Sequence, residues 1–101
     1  AAGPKGAAGL AVPLFAALVE SSMTFSARRS AVARLFVSST ASVEARVVRR
    51  GRLVRRVKLL GARPGVNGLR LGRLRRGSYR LQVTARTATS VSIDRARLRV
   101  R

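Results

Sequence analysis

Three stretches of the chain alternate apolar side chains with charged or polar ones, one for one. Val43, Ala45 and Val47 alternate with Glu44 and Arg46. Tyr79, Leu81, Val83 and Ala85 alternate with Arg80, Gln82, Thr84 and Arg86. Ala96, Leu98 and Val100 alternate with Arg97, Arg99 and Arg101. A strand points successive side chains to opposite faces, so each stretch has one dry face and one wet face. A helix over 79–86 would scatter the same apolar residues around its axis. The chain is therefore expected to bury one face of each of several strands.

The rest of the chain extends the pattern. Apolar runs occupy Leu10–Val19, Ser22–Ala27, Val32–Ser38, Val43–Arg49, Leu53–Leu60, Val66–Leu71, Tyr79–Thr87 and Val91–Val100. Turn signals separate them: Ala27-Arg28-Arg29-Ser30, Ser38-Ser39-Thr40, Arg50-Gly51, Pro64-Gly65, Arg75-Arg76-Gly77 and Thr89-Ser90. Short, evenly spaced, β-branched runs between such turns predict an all-β sandwich or barrel. One polar face per strand predicts antiparallel pairing, and the intervals are too short for parallel crossovers. Two sheets packed face to face would bury all the apolar sets together.

The N-terminal part reads differently. Residues 1–9 (AAGPKGAAG) are small and Gly-rich, as in a flexible linker. The run Leu10–Val19 is apolar throughout and broken by Pro13. It reads as an edge strand kinked at the proline, with a short helix as the alternative. The uncharged stretch Gly6–Val19 is shorter than the roughly 20 residues of a membrane span. It could pass for the apolar part of a signal peptide, but only Lys5 precedes it and no small-x-small cleavage pattern follows. The first residue is Ala1, which fits a chain processed or excerpted from a longer precursor. The expected domains are thus 1–9 as linker and 10–101 as sandwich. Leu10, Val12, Leu14 and Leu18 form either the domain's own first strand or a strand that a neighbouring copy's open edge could take up. Repeated head to tail, such exchange would give a homo-oligomer or filament.

Composition bears on chemistry. The chain has no His and no Cys, and its acids are Glu20, Glu44 and Asp94. The commonest general base, the commonest nitrogen ligand and every thiolate site are therefore missing. Three scattered acids make a poor acid/base pair or hard-metal site. Lys5 lies in the linker and Lys58 beside Arg55 and Arg56, so neither is placed to activate a Ser. No Gly-rich loop precedes a Lys-Ser/Thr pair. The expectation is a non-enzyme with no cofactor and no metal.

Twenty arginines raise the net charge to +19, with a 47% apolar content that a disordered basic tail would lack. Such a field attracts any polyanion. The segment Arg49-Arg50-Gly51-Arg52, the cluster Arg73, Arg75 and Arg76, and the outward strand positions Arg97 and Arg99 are the candidate anion- or partner-binding residues. Nucleic acid is one candidate partner, but no finger ligands, heptads or ribonucleoprotein aromatics occur. Phe36, which alternates out of phase with Leu35 and Val37, is the one candidate for a stacking aromatic. One contiguous arginine face would favour nucleic acid; an even shell would favour simple solvation.

The segment Leu74 to Ala85 (LRRGSYRLQVTA) resembles the leucine, basic pair, Gly-x-Tyr, alternating strand and Thr-Ala run of bacterial immunoglobulin-like and fibronectin-III-like modules. Such modules occur in secreted and surface proteins of GC-rich actinobacteria. Phe25–Arg29, Ala33–Ala41, Val43–Val54 and Gly65-Val66-Asn67 are similar to further strand ends of that family, so the likeness covers about residues 20–101. Many members carry an Asp and a Gly-Asn turn after the Thr-Ala; here Thr87, Thr89 and Ser90 stand there. The central Trp and paired Cys of antibody-type domains are missing too. The resemblance implies a sandwich of about seven antiparallel strands, a bacterial extracellular or cell-surface location, and a structural or adhesive role. The partners it implies are other protein domains or anionic cell-surface polymers, with nucleic acid as the alternative. Tyr79, after a Gly at the start of a penultimate strand, is expected to close a corner through its hydroxyl.

Overall fold

Each described apolar run becomes a strand in the computed structural model, which describes residues 14–101. In chain order these are β1 (Ala16–Leu18), β2 (Ser22–Phe25), β3 (Ala31–Val37), β4 (Ala41–Arg49), β5 (Arg52–Ala62), β6 (Gly65–Gly72), β7 (Gly77–Arg86) and β8 (Val91–Val100). A three-stranded sheet ordered β1-β3-β6 packs against a five-stranded sheet ordered β2-β8-β7-β4-β5. The arrangement is an Ig-like β-sandwich, with β1, β3 and β6 facing β4, β7 and β8 as the A, B and E strands face C, F and G.

One expectation is refined and one corrected. The described residues form eight strands where about seven were expected, because β1 and β2 belong to different sheets. The chain crosses between them at Val19–Ser21. Pairing is also not antiparallel throughout: β2 runs parallel to β8, with Met23 opposite Leu98 and Phe25 opposite Val100. Short connections exclude parallel pairing only for strands that are neighbours in sequence. β2 and β8 are joined by the whole domain, so no tight turn constrains their direction.

The alternation lands as its phase requires. Inward side chains of both sheets, among them Leu35, Leu69, Leu71, Leu81, Leu98, Val37, Val47 and Val83, form one core, and no polar or charged side chain among the described residues is buried. The β4–β5 hairpin turns at Arg50 (φ 52°) and Gly51 (φ 77°). Two successive positive φ angles make the mirror-image turn whose twist matches paired strands, and glycine adopts it without steric cost.

The seams between the sheets are closed by side chains. β1 pairs with β3 on one side, Ala16 opposite Val37 and Leu18 opposite Leu35. On its other side three amides donate to side chains around β8. Leu14 N–H meets Ser90 Oγ at 3.0 Å, Ala16 N–H meets Ser92 Oγ at 3.1 Å, and Leu18 N–H meets Asp94 Oδ2 at 2.8 Å. The Ser92 hydroxyl donates back to the Ala16 carbonyl at 3.2 Å. Both partners step by two residues, so the side chains serve as a substitute strand. At the opposite seam Arg55 on β5 donates from Nη1 to the Leu71 carbonyl of β6 at 2.8 Å.

This ladder bears on the N-terminal strand. Leu14 and Leu18 are buried in the core of their own domain. Leu10, Val12 and the 1–9 linker lie outside the described residues.

Replacing Asp94 with alanine strands the Leu18 amide at a partly buried seam. Asp94→Ala should cost about 1–3 kcal/mol, the penalty for leaving such a group unpaired. Asp94→Asn keeps an acceptor oxygen and should cost less. Urea unfolding should show a lowered midpoint with an unchanged slope for the alanine variant. Equal midpoints for wild type and Asp94→Ala would contradict the ladder.

Candidate anion-docking surface

Strand direction sorts the loops to two ends, and the charge is not shared between them. One end gathers the β2–β3 turn, the β4–β5 hairpin, the β6–β7 crossover and Arg101. It carries Arg28, Arg29, Arg49, Arg50, Arg52, Arg73, Arg75, Arg76 and Arg101, and no acid lies in these segments. The other end carries Ser38, Ser39, Thr40, Thr87, Thr89 and Ser90 with Arg63 and Arg86.

The faces are just as unequal. On the five-stranded sheet Arg80 stands opposite Arg97, and Arg46 opposite Arg56. Arg95 and Arg99 continue the outward row of β8 at a spacing of about 6.6 Å, twice the strand rise. An open trough of about 460 Å³ runs between Arg80, Arg95 and Arg97 over Gln82 and Val48. The three-stranded sheet turns Phe15, Val32, Phe36 and Val66 outward, with Arg34 and Arg70 as its exposed arginines. The rings of Phe15 and Phe36 are 6.1 Å apart and tilted by 53°. Phe36 is therefore exposed, as its phase predicts, but on the sheet away from most of the arginines.

The acids do little to neutralise this field. Glu20 lies 3.6 Å from Arg34; Glu44 lies 3.2 Å from Arg56 and 3.6 Å from Arg46. Such part-exposed pairs contribute about 0–1 kcal/mol each. Asp94 accepts the Leu18 and Arg95 amides. Among the described residues no three His, Cys, Asp or Glu side chains come together to hold a metal.

The two ends of the predicted binding set behave differently. Arg97 and Arg99 are exposed on the outer face of β8, and Arg50, Arg52, Arg73, Arg75 and Arg76 are exposed in the loops and at the β5 start of the charged end. Arg49 is the one arginine that is only half exposed. Its guanidinium carbon lies 5.6 Å from the centre of the Tyr79 ring. It also passes so close to Gly77 that a Cβ there would stand 2.9 Å from it. A cation over an aromatic face is worth about 0.5–1 kcal/mol at an exposed site. The structure thus brings Arg49, Arg73, Arg75 and Tyr79 together at one corner, whereas Arg97 and Arg99 belong to the sheet face.

Tyr79 closes the corner. Its ring is buried and its hydroxyl donates to the Arg75 carbonyl at 2.5 Å. Arg55, Ser92 and Asp94 were not singled out by sequence. The phase of Ala96, Leu98 and Val100, extended backwards, puts Ser92 and Asp94 inward and would have found two of them. No periodicity singles out Arg55, whose exposed stem on an edge strand looks like any other.

No protein-family model and no curated protein matches the chain. An engineered protein solved at 1.98 Å matches over the whole of this chain with a TM-score of 0.72 and 15% identity. The chain spans 21% of that protein's length, and the likeness shows the shared sandwich fold alone. The CARDB domain of a Pyrococcus furiosus protein, solved in complex with di-metal ions, matches with a TM-score of 0.37 and 14% identity. That match covers 86% of this chain and 92% of the domain.

Tyr79→Phe leaves the ring packed and removes only the bond to the Arg75 carbonyl. Stability should fall by about 1 kcal/mol, the net worth of an ordinary hydrogen bond. An unchanged denaturation midpoint would show that the hydroxyl holds nothing.

Proposed function

We propose that this domain is a non-catalytic, structural or adhesive module of an exported bacterial protein or assembly. It docks onto an anionic polymer surface through its charged end and the outer face of the five-stranded sheet. The observation that carries this reading is the segregation of charge. Nine arginines and no acid occupy the loops and adjoining strand ends of one end, and the same sign continues along β7 and β8. Clustered like charges repel one another, and a multivalent anion lying across them removes that repulsion. The resemblance to modules of exported bacterial proteins supports the location, and the dispersal of Glu20, Glu44 and Asp94 supports the lack of catalysis.

Nucleic acid remains the second reading, and the contiguity of the arginines counts in its favour, as expected of a face that suits phosphates. Against it, stacking platforms need exposed aromatics beside the cations. Phe15 and Phe36 lie on the other sheet, and Tyr79 is buried. Binding of a nucleic acid here would rest on the backbone alone.

Binding of a sulfated polysaccharide, duplex DNA and single-stranded RNA as a function of salt separates the readings. The polysaccharide should stay bound near physiological salt and displace both nucleic acids. Replacing Arg95, Arg97 and Arg99 together with Gln should lower the salt slope on duplex DNA by about 2–3, close to 0.9 per lost phosphate contact. A nucleic acid that survives physiological salt and resists the polysaccharide would replace the first reading with the second. Release of all three polymers at low salt would leave only a generic field.

A further inference from the structure

At the Tyr79 corner the arginines do more than share a surface. A recess of about 240 Å³ is lined by Arg49, Arg55, Arg73 and Arg75, with Val54, Leu74 and Tyr79 forming its apolar parts. We propose that this recess is a binding site for a compact tetrahedral oxyanion, a phosphate or sulfate group. The proposal deepens the anion-docking reading and rests on it: the recess would seat single ester groups of the polymer that the charged end attracts.

Preorganisation carries the argument. Arg55 is tied by Nη1 to the Leu71 carbonyl at 2.8 Å and reaches the Arg73 carbonyl from Nη2 at 3.5 Å. Arg49 is held over the Tyr79 ring and against Gly77. Both guanidiniums are thus positioned by the fold before any ligand arrives. Each guanidinium has five donors, so Arg55 keeps N–H groups to spare. Arg73 and Arg75 complete the set. The Arg75 carbonyl accepts the Tyr79 hydroxyl, which pins its backbone. Neither the Arg73 nor the Arg75 side chain forms an ion pair among the described residues.

The chemistry fits that ligand class. Planar guanidiniums bind phosphate and sulfate oxygens in pairs, which a single point charge does not do. Leu74 and Tyr79, both buried, back the recess with apolar surface, which strengthens charged hydrogen bonds made against it. The volume exceeds the roughly 30 Å³ share of one water several-fold, which leaves room for a tetrahedral group. The three acids of the chain are all engaged elsewhere, at Arg34, at Arg46 and Arg56, and at the Leu18 amide.

The test is an amide chemical-shift titration of the whole chain at constant ionic strength. The probes are inorganic phosphate, inorganic sulfate and a hexose 6-phosphate. Three proteins are compared: wild type, Arg73→Gln/Arg75→Gln, and Arg63→Gln/Arg86→Gln, which loses equal charge from the opposite end. Saturable shifts confined to Leu74–Gly77 and Arg49–Arg50 are expected in wild type and in the opposite-end variant. The corner variant should bind at least about tenfold more weakly. Tighter binding of the hexose phosphate than of either free ion would assign the site to an ester group; equal binding would assign it to the free ion. Linear, unsaturated shifts, or equal weakening in both variants, would overturn the site. If those failures occur while the polysaccharide still binds at physiological salt, the docking reading stands and only the recess is wrong. If the polysaccharide is also released, both fall.

Discussion

Mutual repulsion among the arginines is the condition that the rest of this molecule answers. A net charge of +19 on a chain of 101 residues opposes any compact state. The fold offsets that opposition with a core that admits no polar or charged side chain among the described residues. Strand alternation does both jobs at once: the same two-residue period that drives Leu81, Val83 and Leu98 inward drives Arg80, Arg97 and Arg99 outward. Burial and charge display are one pattern seen from two sides of the sheet.

The sandwich has two seams, and each uses polar chemistry of a different kind. Ser90, Ser92 and Asp94 satisfy the amides of Leu14, Ala16 and Leu18, so the three-residue β1 is held without a second neighbouring strand. Arg55 spans the other seam to the Leu71 carbonyl. Arg49 packs on the Tyr79 ring. Two arginines that look like surface charge are therefore also structural ties, and both stand at the charged end. The stability of that end and its capacity to meet an anion depend on the same side chains.

Much of the architecture was legible because one period governs it. The phases of β4, β7 and β8, the Arg50-Gly51 turn and the Tyr79 corner follow from short-range rules. The parallel β2–β8 pair was not legible, since it joins strands at opposite ends of the chain and leaves no local mark. The transfer from β1 to β2 was obscured for a similar reason: Glu20-Ser21-Ser22 looks like a turn whichever sheet comes next. Individual arginines were easy to nominate, but their sorting to one end depends on strand direction across the whole fold. The outer face of the three-stranded sheet was legible only in part: the phase of Phe36 put it outside, but Val32 looks like a core residue until register places it there.

The account stands on the claim that one end and one face, not the whole surface, meet the anion. The most direct measurement is a residue-resolved footprint of a sulfated polysaccharide on the isotopically labelled chain at physiological salt. Perturbations should cluster at Arg49–Arg52, Arg73–Gly77 and the outward positions of β8, leaving Ser38–Thr40, Thr87–Ser90 and Phe36 silent. A footprint spread evenly over both ends and both sheets would contradict it.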